Sequence, residues 1–318
     1  MYTIQTASSD FLKHCRFEKN LSNKTIKSYN IDLNQLSRFF AERNYPGEIE
    51  KITRTELREF LESISILKPK SIKRKVATIK AMFNFLEFED RIPSNPLRKM
   101  RISIKEDKKL PRVMNMHEIR KIFNVAYTHN NIVLRSGSFR EFESLRNTVV
   151  IELLFATGAR VSELSDLTVD HIDTTTGYIT IKGKGNKERF IQVCNFETLK
   201  ILKDYQKLFK IRIENSGGFF LVNRLGKKLT DQSIRIIVRN IALRAKIQQK
   251  ITPHVFRHTF ATLLLEKDVD LKYIQSFLGH SSIMTTQIYT HVNREKQKKI
   301  LRMKHPRRDF SMLPSLAS

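Results

Sequence analysis

The chain of 318 residues contains no tryptophan, only two cysteines, 10 glycines and 8 prolines, and few acids for its bases. Cys15 and Cys194 lie far apart in sequence, which excludes a disulfide framework and a cysteine-type zinc site and fits a reducing cytoplasm. The scarcity of glycine and proline argues against low-complexity or fibrous architecture. No basic-then-apolar leader opens the chain, and its most apolar helix, around VVIELLFATG, is too short to span a bilayer and carries Glu152. The expectation is a cytoplasmic protein without a membrane partner.

What is present is positive charge. Lys and Arg total 58 against 32 Asp and Glu, a formal +26. A field of that sign calls for a polyanion. Nucleic acid leads, because each Lys or Arg contact to phosphate releases condensed counterions. A basic protein that merely stays soluble, or one drawn to anionic lipid, is the alternative, although no amphipathic anchor or lipidation motif supports lipid. At 40% hydrophobic and 28% charged, the chain has apolar material for packed cores, and its length suits two domains.

The first hundred residues read as helices. Ile26, Tyr29, Leu33, Leu36 and Phe40 recur at helical spacing, as do Ile72, Val76, Ile79, Phe83 and Leu86. Thr53 with Glu56 forms a capping box. Lys70, Lys73, Arg74, Lys75 and Lys80 occupy the rest of the later helix, either as a solvated face or, as the charge surplus favours, a phosphate-binding face. Pro93, Pro96 and Pro111 punctuate a basic stretch that reads as a linker. Beyond it, Asn115 with Glu118 opens a helix, and another stops at Gly158. The run GYITIKGKGNKERFIQV alternates like a β-hairpin; helices follow at about 196–213, 230–246, 253–266 and 270–278, with a strand FFLV between the first two.

Taken singly, the chemical candidates are weak. Arg160 follows the glycine that ends a helix; it could pin a carboxylate or aim a planar fork at phosphate. Lys184 at the hairpin tip could be solvated or could protonate a leaving oxygen in a DNA groove. In TPHVFRHTFAT, Thr252 suits an N-cap and Pro253 the first helical position, which puts His254 and Arg257 on one face of a phosphate-attracting first turn. The same pair could be a capping histidine and a surface arginine. Zinc on His254 and His258 is set aside, since the intervening glutamate of metalloproteases is missing. His280 could be a helix end and Tyr289 simple packing.

The ordered set Arg160, Lys184, His254-x-x-Arg257, His280 and Tyr289, carried by ATGARVSEL, GKGNKER, TPHVFRHTFAT, LGHSS and TTQIYTHV and closed by the HPR of KHPRR, resembles the tyrosine recombinases, the family of phage integrases and bacterial Xer proteins. The likeness is nearer to Xer than to arm-binding integrases. It implies a mainly α fold with a small antiparallel sheet: an all-helical, SAM-like core-binding domain at 1–98, a linker at 99–111, an α+β catalytic domain at 112–308 and a tail at 309–318. It further implies Tyr289 as nucleophile, Arg160 and Arg257 on the scissile phosphate, His280 donating to another non-bridging oxygen, Lys184 as general acid for the 5′ oxygen, and His254 assisting proton transfer. Glu163 would orient Arg160 from behind.

A phenol titrating near 10 needs a positive field and a base to attack phosphorus. Fixed Arg and His donors stabilise the charge that develops on the equatorial oxygens. A phosphotyrosyl ester stores the broken bond, so neither metal, ATP nor other cofactor is implied. The implied partners are duplex DNA with an inverted-repeat core site and further copies of the chain, two per site and four in a synapse, with a second recombinase as an open variant. The family precedent also docks the helix NREKQKKILRM on a neighbouring protomer, which is the expectation; packing on its own domain is the alternative. Residues 127–146 are longer than the usual Xer connection and, like the tail, are unassigned. A type IB topoisomerase-like enzyme and a catalytically silent DNA-binding protein are the rival readings.

Overall fold

The computed structural model describes residues 2–105, 111–133, 139–183, 188–279 and 294–312. The chain divides into two compact units, Met1–Lys109 and Leu110–Ser318, each with its own apolar core.

The first unit is helical: α1 (Ile4–Phe17), α2 (Asn23–Glu42), α3 (Arg54–Ser63) and α4 (Pro69–Phe88). The first three start where hydroxyl side chains accept from orphan amides, at Thr3, Ser22 and Thr53, the last in a full capping box with Glu56, and α4 starts at Pro69. Leu33, Leu36, Met82, Phe83 and Leu86 are fully buried at the centre. The apolar packing continues past α4, where Ile92 and Leu97 are buried in the same core and Asn95 donates to Asn84 Oδ1 at 2.6 Å.

Within this core lies a buried carboxylate, Asp32. It accepts from Lys75 Nζ at 2.9 Å and Thr78 Oγ1 at 3.1 Å, and pairs with the Arg74 guanidinium. Lys75, at 5% exposure, is therefore corrected from a face residue to an interior counter-ion. An unpaired carboxylate there would be costly, so the lysine is drawn inward by charge compensation. Arg74 is exposed but also donates to Ser28 Oγ at 2.7 Å. Lys70, Lys73 and Lys80 remain on the exposed side of α4.

The second unit is built around α6 (Phe139–Thr157), flanked by α5 (Met116–Val133), α8 (Phe196–Leu208) and α11 (Pro253–Glu266). Short α7 (Val161–Ser165) follows, then the antiparallel hairpin β1 (Tyr178–Lys182) and β2 (Glu188–Gln192), paired with Ile181 opposite Arg189. Next come α9 (Lys210–Glu214), α10 (Asp231–Arg244), α12 (Leu271–Leu278) and α13 (Arg294–Lys304). The helix expected over 196–213 breaks at Phe209, whose ring packs against Phe142 at 4.7 Å. FFLV makes only isolated bridges: Phe220, Leu221 and Val222 are wholly buried, and the run reads as a strand because it is core on every side.

The 127–146 stretch is mostly the end of α5 and the beginning of α6; its residues 134–138 lie outside the described ones. Leu301 of α13 is 1% exposed in the core of its own unit, with Ile300 packed beside it. Ile300 and Leu301 are thus held in cis, the alternative to docking on a neighbour, whereas Met303 of the same helix is 55% exposed. The chain then runs into His305, Pro306 and Arg307 and on to Met312, which is tied to Glu197. No helix among the described residues is long and apolar enough to cross a membrane.

Candidate active site

Three helix ends bring the candidate residues together. Gly158 ends α6 with φ +58°, and a Cβ there would come within 2.7 Å of the Phe260 ring, so the turn requires glycine. It delivers Arg160 to the N-cap of α7, where the Arg160 amide donates to Glu163 Oε2 at 2.8 Å and its guanidinium to Glu163 Oε1 at 2.6 Å. Thr252 caps α11, accepting from the Val255 amide, with Pro253 next. His254 then stands exposed on the first turn, while Arg257 is 6% exposed beneath it. Gly279 closes α12 in the left-handed region at φ +61°.

The last carbonyls of α12 are the meeting point. Arg257 donates to the Leu278 carbonyl at 2.6 Å and to the Gly158 carbonyl at 2.9 Å. Arg160 reaches the Gly279 carbonyl at 3.3 Å. Arg189 of β2 donates to the Phe277 carbonyl at 2.7 Å and to Glu163 Oε2 at 2.7 Å. Three guanidiniums thus converge on three successive carbonyls, with Glu163 as the carboxylate that bridges Arg160 and Arg189.

The electrostatics follow from that ratio. Burial and then the neighbouring charges of Arg160 and Arg189 push the Arg257 guanidinium down to about 10. Burial alone would raise the Glu163 carboxyl, but the hydrogen bonds and charges of Arg189 and Arg160 hold it below the usual carboxylate range. Partial burial, then His258 and the charges of Arg257, Arg235 and Arg160, lower the His254 imidazole, which keeps it neutral and able to take a proton near pH 7. The cluster is a set of fixed donors with positive charge in excess, the arrangement that holds an anion.

Arg160, Glu163, His254 and Arg257 are brought into one neighbourhood. Lys184, His280 and Tyr289 lie outside the described residues. The residue that sequence reasoning passed over is Arg189, inside the phrase GKGNKER. Its signal was positional: it shares a strand face with buried Ile191, and a charged side chain at an inward position needs a partner there.

Known proteins resemble the chain in sequence and fold. The profile of the Phage integrase family matches residues 112–296, and that of the Phage integrase N-terminal SAM-like domain matches residues 9–90. A tyrosine recombinase of Agathobacter rectalis is 42% identical over 311 residues, covering 98% of this chain and 99% of its own length. The tyrosine recombinase XerD of Halalkalibacterium halodurans is 34% identical, covering 96% of this chain and all of the relative. Among solved structures, XerH recombinase bound to a palindromic difH substrate in a post-cleavage complex aligns with a TM-score of 0.70 at 24% identity, over 92% of this chain and 83% of that one. A lambda integrase dimer bound to a COC′ core site aligns at 0.64 and 20% identity, over 88% and 96%; both likenesses concern the fold. On these matches, which span nearly all of its length, the chain belongs to the phage integrase family of tyrosine recombinases.

Proposed function

We propose that this protein is a site-specific recombinase that cuts and rejoins DNA strands through a covalent 3′-phosphotyrosyl bond to Tyr289. The observation that carries the reading is the imbalance of the buried cluster: Arg160, Arg189 and Arg257 surround one carboxylate, Glu163. A scissile phosphate would supply the missing negative charge. In this scheme Arg160 and Arg257 bind its non-bridging oxygens, joined by His280. Tyr289 attacks phosphorus, His254 receives the phenolic proton, and Lys184 protonates the departing 5′ oxygen. Religation reverses the step, so the ester bond is conserved without ATP.

The DNA substrate is a duplex carrying an inverted-repeat core site, bound by two copies of the chain and recombined by four. Residues 1–98 serve as the core-binding domain, 99–111 as the linker, 112–308 as the catalytic domain and 309–318 as the tail. Lys70, Lys73 and Lys80, with Arg74 beside them, contribute a phosphate-binding face on α4. The protein works in the cytoplasm, where its DNA lies.

Inverted repeats of roughly one helical turn each beside the coding region mark the candidate site. A nicked duplex bearing that site traps the intermediate. Wild type gives a protein–DNA band stable to denaturant; Tyr289→Phe binds and gives none. Failure of the wild type on a verified cognate site overturns the proposal. Relaxation of supercoiled DNA regardless of sequence would favour a type IB topoisomerase-like enzyme instead.

A further inference from the structure

Arg189 has no assigned role, yet it is as deeply placed in the cluster as Arg257, at 9% exposure. Both of its hydrogen bonds go to protein: Nε to the Phe277 carbonyl and Nη2 to Glu163 Oε2, each at 2.7 Å. The last carbonyls of a helix have no intrahelical partner and are commonly left to water. Here the amide of Gly279 turns back to Gln275, and the carbonyls of Phe277, Leu278 and Gly279 each receive a guanidinium, from Arg189, Arg257 and Arg160 respectively.

The three bonds are unequal. Those of Arg189 and Arg257 are short and buried, whereas that of Arg160 is longer and exposed. Arg160 can therefore exchange the Gly279 carbonyl for a phosphate oxygen while α12 stays pinned by the other two. Arg189 also carries the second half of the load on Glu163. Without it, the carboxylate would be left to Arg160 alone and would compete with phosphate for that guanidinium. The fit is close: a Cβ on Gly279 would stand 3.2 Å from both Cδ and Nη1 of Arg189. His280 follows Gly279 directly, and Tyr289 lies further along the same stretch of chain.

We infer that Arg189 is a positioning residue of the recombination site: it pins the C-terminal end of α12 and shares Glu163, so that Arg160 and Arg257 meet the scissile phosphate already aimed. The inference rests on the recombinase reading for its chemistry, although the pinning itself can be measured without catalysis. Arg189→Met keeps the apolar stem and removes both donors. Arg189→Lys keeps the charge but reaches one acceptor at a time. Neither touches DNA in this scheme.

Each variant is compared with wild type and with Arg257→Met in three measurements on the full-length protein. In the first, Arg189→Met binds the cognate duplex within about threefold of wild type but forms the covalent adduct about 10–100-fold more slowly at saturating protein, and Arg189→Lys recovers part of that loss. In the second, the scissile phosphate is replaced by a charge-neutral methylphosphonate. The deficit of Arg257→Met shrinks on this substrate, because the charge it balanced is gone, and the deficit of Arg189→Met does not. In the third, hydrogen exchange of the amides over 271–279 quickens at least about tenfold in Arg189→Met, while the middle of α11 is unchanged.

An unaltered cleavage rate, or a methylphosphonate gain equal to that of Arg257→Met, overturns the positioning role, the latter by making Arg189 a phosphate ligand. Unchanged exchange over 271–279 overturns the pinning. Should wild type itself give no adduct, the recombinase reading fails on its own, and the exchange measurement still decides what Arg189 does to α12.

Discussion

Among the described residues, the second unit holds two buried arginine–glutamate networks of opposite stoichiometry. Around Arg307, fully buried, stand two carboxylates: Glu152, which takes up its Nε and Nη2, and Glu197, which accepts from Nη2 at 2.7 Å. Tyr127 and Thr198 also donate to Glu152, and the rings of Phe123 and Phe310 lie 5.1 and 4.6 Å from the guanidinium carbon. Around Glu163 the ratio is inverted, with arginines in the majority. The first network is saturated with its own partners and leaves nothing to bind. The second has donors and charge to spare. A network whose donors and acceptors are all taken is a rivet; one with cationic donors in excess is a site.

The largest effect should come from breaking the rivet. Arg307→Met strands Glu152 and Glu197 and is expected to cost about 3–5 kcal/mol of stability, read from denaturant unfolding. Arg257→Met should do the reverse. Its loss relieves repulsion with Arg160 and Arg189, which offsets part of the cost of leaving the Gly158 and Leu278 carbonyls without their donor; the unfolding midpoint moves less than in Arg307→Met, whereas adduct formation falls about 10²–10³-fold. If both variants lose stability alike and neither loses chemistry, the contrast between the two networks is void.

His305 sharpens the comparison through pH. It is buried, accepts the Arg307 amide on Nδ1 at 2.9 Å and faces the Ala156 carbonyl with Nε2 at 3.1 Å, so its proton sits on Nε2. Burial pushes its imidazole from 6.5 down to about 4. Between those values the unfolded chain takes up a proton that the folded chain refuses. Stability therefore drops as pH falls through this window, by roughly 3 kcal/mol in all. His305→Gln should remove that part of the pH dependence of the urea midpoint; an unchanged slope would refute it.

The smallest effects concern the first unit. Lys73→Ala and Lys70→Ala should each leave stability within about 0.5 kcal/mol and lower the slope of log affinity against log salt by about one. Lys75→Met should instead destabilise the unit by leaving buried Asp32 with Arg74 as its one cation and Thr78 as its other donor. Equal behaviour of Lys73 and Lys75 would contradict their separation into face and core.

Much of the layout was legible because it is local. The boxes Thr53/Glu56 and Asn115/Glu118, the cap at Thr252 and the alternation of the hairpin are decided by neighbours within a few residues. What escaped was decided by distant partners. Lys75 is interior because Asp32, on another helix, must be neutralised. Arg189 is in the cluster because Glu163 and the end of α12 come to it. Leu301 is filled in cis by the core it meets. Arg160, His254 and Arg257 could be named from their motifs, but the carbonyls that aim two of them, Arg160 and Arg257, carry no sequence mark.

The most direct test is to digest the trapped protein–DNA product and sequence the peptide that retains the nucleotide. The expected product is a phosphotyrosyl peptide at Tyr289 joined to the 3′ end, with far less formed by Arg257→Met under the same exposure. Attachment at another residue, or to the 5′ end, would contradict it.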